Sequence, residues 1–239
     1  MAANPSAEPS DPSPSPNPNT TTTPNLYLSA FSLGGNVCLK LLGEMGDGSA
    51  PEWDGVRIRG AAVNCVPFDP AACSPLLSED NFNRLVYSGN FLKTLVPKAE
   101  RQFEKLGADA FPAAFDMEEV RAATSIGDFD DAFIAPIYGF ADKWDYYNTQ
   151  GCLSGGYLPK IRVPCFALNA IDDPFIRDVR LPTPDDVQDA PMTLQYTRYG
   201  GHCGFLAPEE LGGRDWMPRQ LARFVAHARD SWATDEPQP

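Results

Sequence analysis

Histidine is scarce in this chain: its 239 residues include two, His202 and His227. Any reaction that needs an imidazole base therefore has two candidates. Cysteine occurs six times, at 38, 65, 73, 152, 165 and 203, yet there is no CxxC pair. Neither histidine pairs with a cysteine at the usual ligand spacing, so metal chemistry has little support. Several of the cysteines lie in apolar segments, where a free thiol behaves as a small hydrophobe. That favours a reduced intracellular compartment, although the even count leaves one disulfide open. No run approaches eighteen consecutive apolar residues, so no membrane span is encoded. The N-terminus lacks the basic flank and apolar stretch of a secretory signal. Basic residues are outnumbered 19 to 32, for a net charge of −13, and they form no run. A nucleic-acid partner is disfavoured, as is non-specific docking on an anionic membrane.

What the chain does have is an apolar fraction of 43%, enough to fill one core. Residues 1–24 are rich in Pro, Ser, Thr and Asn, including SDPSPSPNPNTTTTP. With few amide donors at the prolines and little apolar surface to bury, this stretch reads as a disordered tail. The ordered body is expected over 25–232, with a flexible end at 233–239. Within it, NLYLSA (25–30), VRIRGAAVNCV (56–66), VPCFALNAI (163–171) and MTLQYTR (192–198) read as strands. Residues 33–44 read as a helix, 81–106 as a longer one, and 216–232 as a closing helix with Leu221, Phe224, Val225 and Ala228 on one face. Alternating strands and helices predict an α/β fold whose mostly parallel sheet is covered on both faces. The apolar helices between about 76 and 140 read equally as a cap lining a pocket or as plain core.

Three segments carry chemistry. LSAFSLGGN (28–36) sets Ser32 at a strand-to-helix junction between small residues, Ala30 and Gly34, in the form A-x-S-x-G. A nucleophile on such a turn needs small neighbours because the backbone is tight. The helix that follows aims amide donors at the site. A serine that merely caps the helix is the competing reading. After the third strand come Asp172, Asp173, Pro174 and Phe175, and after the fourth come Gly200, Gly201, His202, Cys203, Gly204 and Phe205. Acidic groups and a glycine-flanked histidine at the C-terminal ends of parallel strands are where such a sheet places its site. The order Ser, Asp, His is the one an α/β-hydrolase uses. His227, inside the last helix next to Arg229, reads as a packing or surface residue. Cys203 reads as a small loop residue, with a redox role as the lesser alternative.

The blocks AFSLGGNVCLKLLGE, FDDAFIAPIYGFADKWDYY, IDDPFI and GGHCGFL resemble the YheT-like branch of the α/β-hydrolases. That branch includes the plant embryogenesis-associated proteins and the animal abhydrolase-domain lipases. The similarity spans about 26–232. It implies a serine hydrolase of carboxylic esters, lipid-like or of medium acyl chain, with an acyl-enzyme and no cofactor or metal; acyl transfer to an alcohol by the same residues is an alternative. Carried onto this sequence, Ser32 is the nucleophile, His202 the base and Asp173 the acid, with Asp172 as the alternative acid. The Leu33 amide is an oxyanion donor. Asp173 is preferred because such acids often precede proline. The resemblance starts at the nucleophile strand, and no HGGG-like segment is present. The expectation is therefore a partial fold lacking N-terminal strands, with half an oxyanion hole and an exposed strand edge open to another chain. A truncated hydrolase fragment or interaction module is the alternative this raises. Family members often carry a membrane anchor upstream of the matched part.

Overall fold

β1 (Asn25–Phe31), β2 (Arg57–Asn64), β3 (Cys165–Ala170) and β4 (Met192–Thr197) form one sheet in the order β1-β2-β3-β4, every neighbouring pair parallel. The computed structural model describes residues 23–50, 55–107, 110–111 and 115–232. The expected tail therefore lies outside the described residues except for Thr23 and Pro24, and 233–239 lies outside as well.

The strands form where the sequence pattern is most apolar. β3 is buried at all six positions, as expected of a central parallel strand covered on both faces. Its neighbours then settle the layers. On one face α1 (Leu33–Asp47) packs Cys38, Leu39 and Leu42 against Ala61, Val63 and Ala167. On the other the C-terminal helix, α5 (Trp216–Trp232), packs Met217 and Leu221 against Ala62, Phe166 and Leu168.

β1 pairs with β2 alone among the described strands, so the strand that leads to Ser32 lies at a sheet edge. Leu26 and Phe31 are 43% and 45% exposed, an unusual condition for apolar side chains in a parallel strand.

Between β2 and β3 the chain is helical: α2 (Pro70–Ser78), α3 (Gly89–Leu106) and α4 (Lys143–Gln150), with shorter turns between them. The helix expected over 81–106 is interrupted. Residues Arg84–Ser88 form a wide π turn before α3 begins. The spacing of Phe82, Leu85, Leu92 and Leu95 reads as one apolar face of that helix, yet Phe82 and Leu85 are largely exposed. The π turn shifts the helical phase, so an extrapolated stripe no longer faces inward. Leu92, Phe129, Phe133 and Val120 make a separate core within this layer.

Candidate active site

The turn from β1 into α1 is where the site begins. Ser32 adopts φ 51° and ψ −131°, a costly conformation for a residue with a Cβ and one that persists only where the surroundings enforce it. Its amide donates to the Asn64 carbonyl at 2.8 Å, extending the β1–β2 pairing to the turn itself. The hydroxyl makes no cap bond to α1, which disposes of the helix-cap reading. The small residue this packing demands is Gly35: a Cβ there would meet Val66 Cγ2 at 2.5 Å. At Gly34, the position singled out by the motif, a Cβ would meet nothing within 4 Å.

The Ser32 hydroxyl instead faces His202. His202 Nε2 lies 2.9 Å from Ser32 Oγ, and Nδ1 lies 2.8 Å from Asp173 Oδ2. Asp173 is fully buried, and its Oδ1 accepts the Phe175 amide at 2.9 Å. Burial works against a charged imidazolium at His202, but the hydrogen bond and charge of Asp173 outweigh it and raise its pKa above the ordinary value. Asp172 goes elsewhere: its Oδ1 accepts the Gly201 amide at 2.8 Å, bracing the loop that carries the histidine. Gly200 and Gly201 let that loop close. Gly201 has φ 54°, and a Cβ at Gly200 would strike the Phe205 ring at 2.6 Å and Ala170 at 2.8 Å. His227 is remote from this group and meets Ser231 at 3.2 Å.

Ser32, Leu33 and His202 open onto a cavity of about 360 Å³ whose wall is mostly apolar, with Leu77, Phe91, Leu95 and Phe129 among its lining residues. The layer between β2 and β3 therefore does both things the sequence left open, building a core of its own and lining a pocket. One wall is polar. Burial pushes the Asp130 carboxyl up to about 6, against the opposing hydrogen bond from Tyr147, whose hydroxyl donates to Oδ2 at 2.6 Å.

No family model matches the chain. It is 31% identical to the putative esterase YheT of Escherichia coli (strain K12) over 195 residues, covering 82% of this chain and 53% of that protein. The chain is homologous to the YheT-like α/β-hydrolases. Phospholipase ABHD3 of Mus musculus is 30% identical over 196 residues, 81% of this chain and 44% of the relative. The monoacylglycerol lipase of Saccharomyces cerevisiae (strain ATCC 204508 / S288c) is 26% identical over 200 residues, 83% and 42% respectively. The chain spans about half the length of the curated relatives it matches, and its four-stranded parallel sheet with flanking helices is a partial version of the α/β-hydrolase fold.

Several neighbours of the site were not legible in the motifs. The Phe175 ring lies 4.2 Å from the His202 ring, centroid to centroid, limiting how the imidazole can turn. Cys65, at the end of β2, donates its thiol hydrogen bond to the Gly201 carbonyl at 3.6 Å and accepts the Cys203 amide at 3.2 Å. The Cys65 thiol also holds the Cys203 sulfur below the usual thiol range. All six cysteines are free. Because Cys65 and Cys203 lie 138 positions apart, no local spacing rule brings them together.

Proposed function

We propose that this site cleaves carboxylic acyl esters, of lipid-like or medium-chain type, through an acyl-enzyme on Ser32. The observation that carries the reading is the hydrogen-bonded line Ser32–His202–Asp173, at 2.9 and 2.8 Å, opening from a strained turn into an apolar cavity. His202 Nε2 takes the hydroxyl proton as Ser32 Oγ adds to the ester carbonyl carbon. Asp173 holds the Nδ1–H tautomer and stabilises the imidazolium. The tetrahedral oxyanion is met by the Leu33 amide at the start of α1, a donor whose removal elsewhere costs about 3 kcal/mol. Collapse expels the alcohol, which takes the proton from Nε2. Water then enters by the same route in reverse and releases the acid.

The helices over about 76–140 act as the cap in this reading and hold the acyl chain. At about 360 Å³ the cavity sits toward the small end of ligand pockets, which run from about 300 to 1,000 Å³, and this supports a short or medium acyl chain. The names of the relatives, an esterase, a phospholipase and a lipase, support the ester class.

Labelling with a fluorophosphonate probe tests the proposal. The folded chain is expected to label once, and Ser32→Ala to abolish the label. A folded chain that never labels overturns the reading. A series of p-nitrophenyl esters of increasing acyl length would then locate the preferred chain.

A further inference from the structure

Beside the proposed catalytic line lies a second cluster. Cys65 Sγ, Cys203 Sγ and a ring nitrogen of His202 all lie within 4.8 Å of one another. Two come from the loop after β4 and the third from the end of β2, so the fold gathers them without any sequence motif. We propose that these three residues form a binding site for a soft or borderline divalent cation of the zinc type, and that its occupancy switches the hydrolase site off. The ligand set stands without the catalytic reading; only the switch rests on it.

The donor chemistry is selective. Two sulfurs and an imidazole suit Zn²⁺ or Cd²⁺ and are poor ligands for Mg²⁺ or Ca²⁺. A tetrahedral zinc with ordinary bond lengths spaces such donors roughly 3.5–3.8 Å apart, so the group has at most about 1.3 Å to close. Cys65 is fully buried, and its sulfur already faces the loop through its contacts with Gly201 and the Cys203 amide. With Nε2 as the ligand, the histidine keeps the outer partner a metal-binding imidazole usually has: the buried Asp173 carboxylate holds Nδ1 at 2.8 Å. Binding balances as one divalent cation plus two thiols giving a dithiolate complex and two released protons.

Coordination consumes a ring nitrogen. At Nε2 it replaces the contact with Ser32; at Nδ1 it replaces the contact with Asp173. Either way the relay is broken. Metal binding and nucleophile activation therefore exclude one another, and inhibition is reversible by a chelator.

The test uses the reduced chain, kept in a phosphine reductant, titrated with CdCl₂. The thiolate-to-cadmium absorption in the ultraviolet should saturate at one equivalent, and ZnCl₂ should compete it away. Cys65→Ser and Cys203→Ser should each weaken binding by at least about 100-fold, more than the loss of an outer partner costs, while Ser32→Ala binds as the wild type does. Both cysteine variants should still take the fluorophosphonate label, and Zn²⁺ should block labelling only in the wild type, with recovery on adding a chelator. Far-ultraviolet circular dichroism checks folding, and the partly exposed Cys203 carries the test should Cys65→Ser not fold. A missing band at one equivalent, or the same band in the double cysteine variant, overturns the site. Cadmium binding that needs both cysteines, in a chain that never labels, would leave the metal site standing and sink the hydrolase reading instead.

Discussion

Asp172 and Asp173 are adjacent and both close to the histidine loop, yet the structure gives them different work. Asp173 meets the imidazole, whereas Asp172 meets a backbone amide. The consequence is a measurable split. Asp173→Asn keeps the volume but offers the ring the wrong hydrogen-bonding partner, and kcat should fall on the order of 10⁴-fold, as such tautomer errors do. Asp172→Asn still accepts from Gly201 and should remain within about fivefold of wild type, since an interaction of about 1 kcal/mol or less is at stake. Equal losses in ester hydrolysis would contradict the assignment. Asp130 carries a second expectation. Its folded carboxyl holds a proton up to about 6, against an ordinary value of 3.8, so the native state binds more protons than the unfolded chain in between. The contribution of this group to stability is therefore greatest below about pH 4, falls as pH rises through 6 and levels off above, by an amount on the order of 3 kcal/mol. Urea unfolding of wild type against Asp130→Asn isolates the effect: the wild type should lose stability relative to the variant between about pH 4 and 6, and a difference that stays constant across that range would refute the shift.

At the scale of elements, the β1–α1 junction shows what a sequence can and cannot reveal. The A-x-S-x-G pattern located the turn, but the close contact falls one residue later, at Gly35, because only the packed structure shows that Val66 lies under the helix. Gly35→Ala should gain roughly 1 kcal/mol of helix propensity and lose roughly 1–3 kcal/mol to overpacking against Val66. The net is destabilising, and adding Val66→Ala should recover part of it; additive losses in thermal unfolding would refute the contact. The four strands were readable because alternating or continuous apolar runs bounded by Pro and Gly have few alternatives. α2 and α4 were not. Pro70 and Pro75 sit in α2 and read as breakers; Pro70 falls in the first turn, where proline is tolerated, and Pro75 lies inside the helix. α4 is eight residues long, too short for a periodic stripe. Of the site, Ser32, Asp173 and His202 were legible because strand ends and flanking glycines mark them. Cys65 was not, since only the parallel pairing of β2 with β3 and of β3 with β4 carries it to the histidine.

For the molecule as a whole, two forces oppose each other at the β1 edge. Exposed Leu26 and Phe31, with backbone groups that have no strand beside them among the described residues, favour pairing with a second chain. The net charge of −13 resists bringing two copies together. Salt decides between them, because it screens charge and leaves the edge intact. The screening length falls from about 30 Å at 0.01 M to about 8 Å at 0.15 M, so repulsion between whole molecules weakens while contact-range pairing does not. Self-association measured by sedimentation velocity should therefore rise with ionic strength. Leu26→Lys places a charge on the edge, a common guard against pairing, and should suppress association at every salt concentration without touching Ser32. The alternative cause, attraction between charged patches, predicts the opposite salt dependence. Association that weakens with salt, or that ignores Leu26→Lys, would show that the edge is not the surface involved.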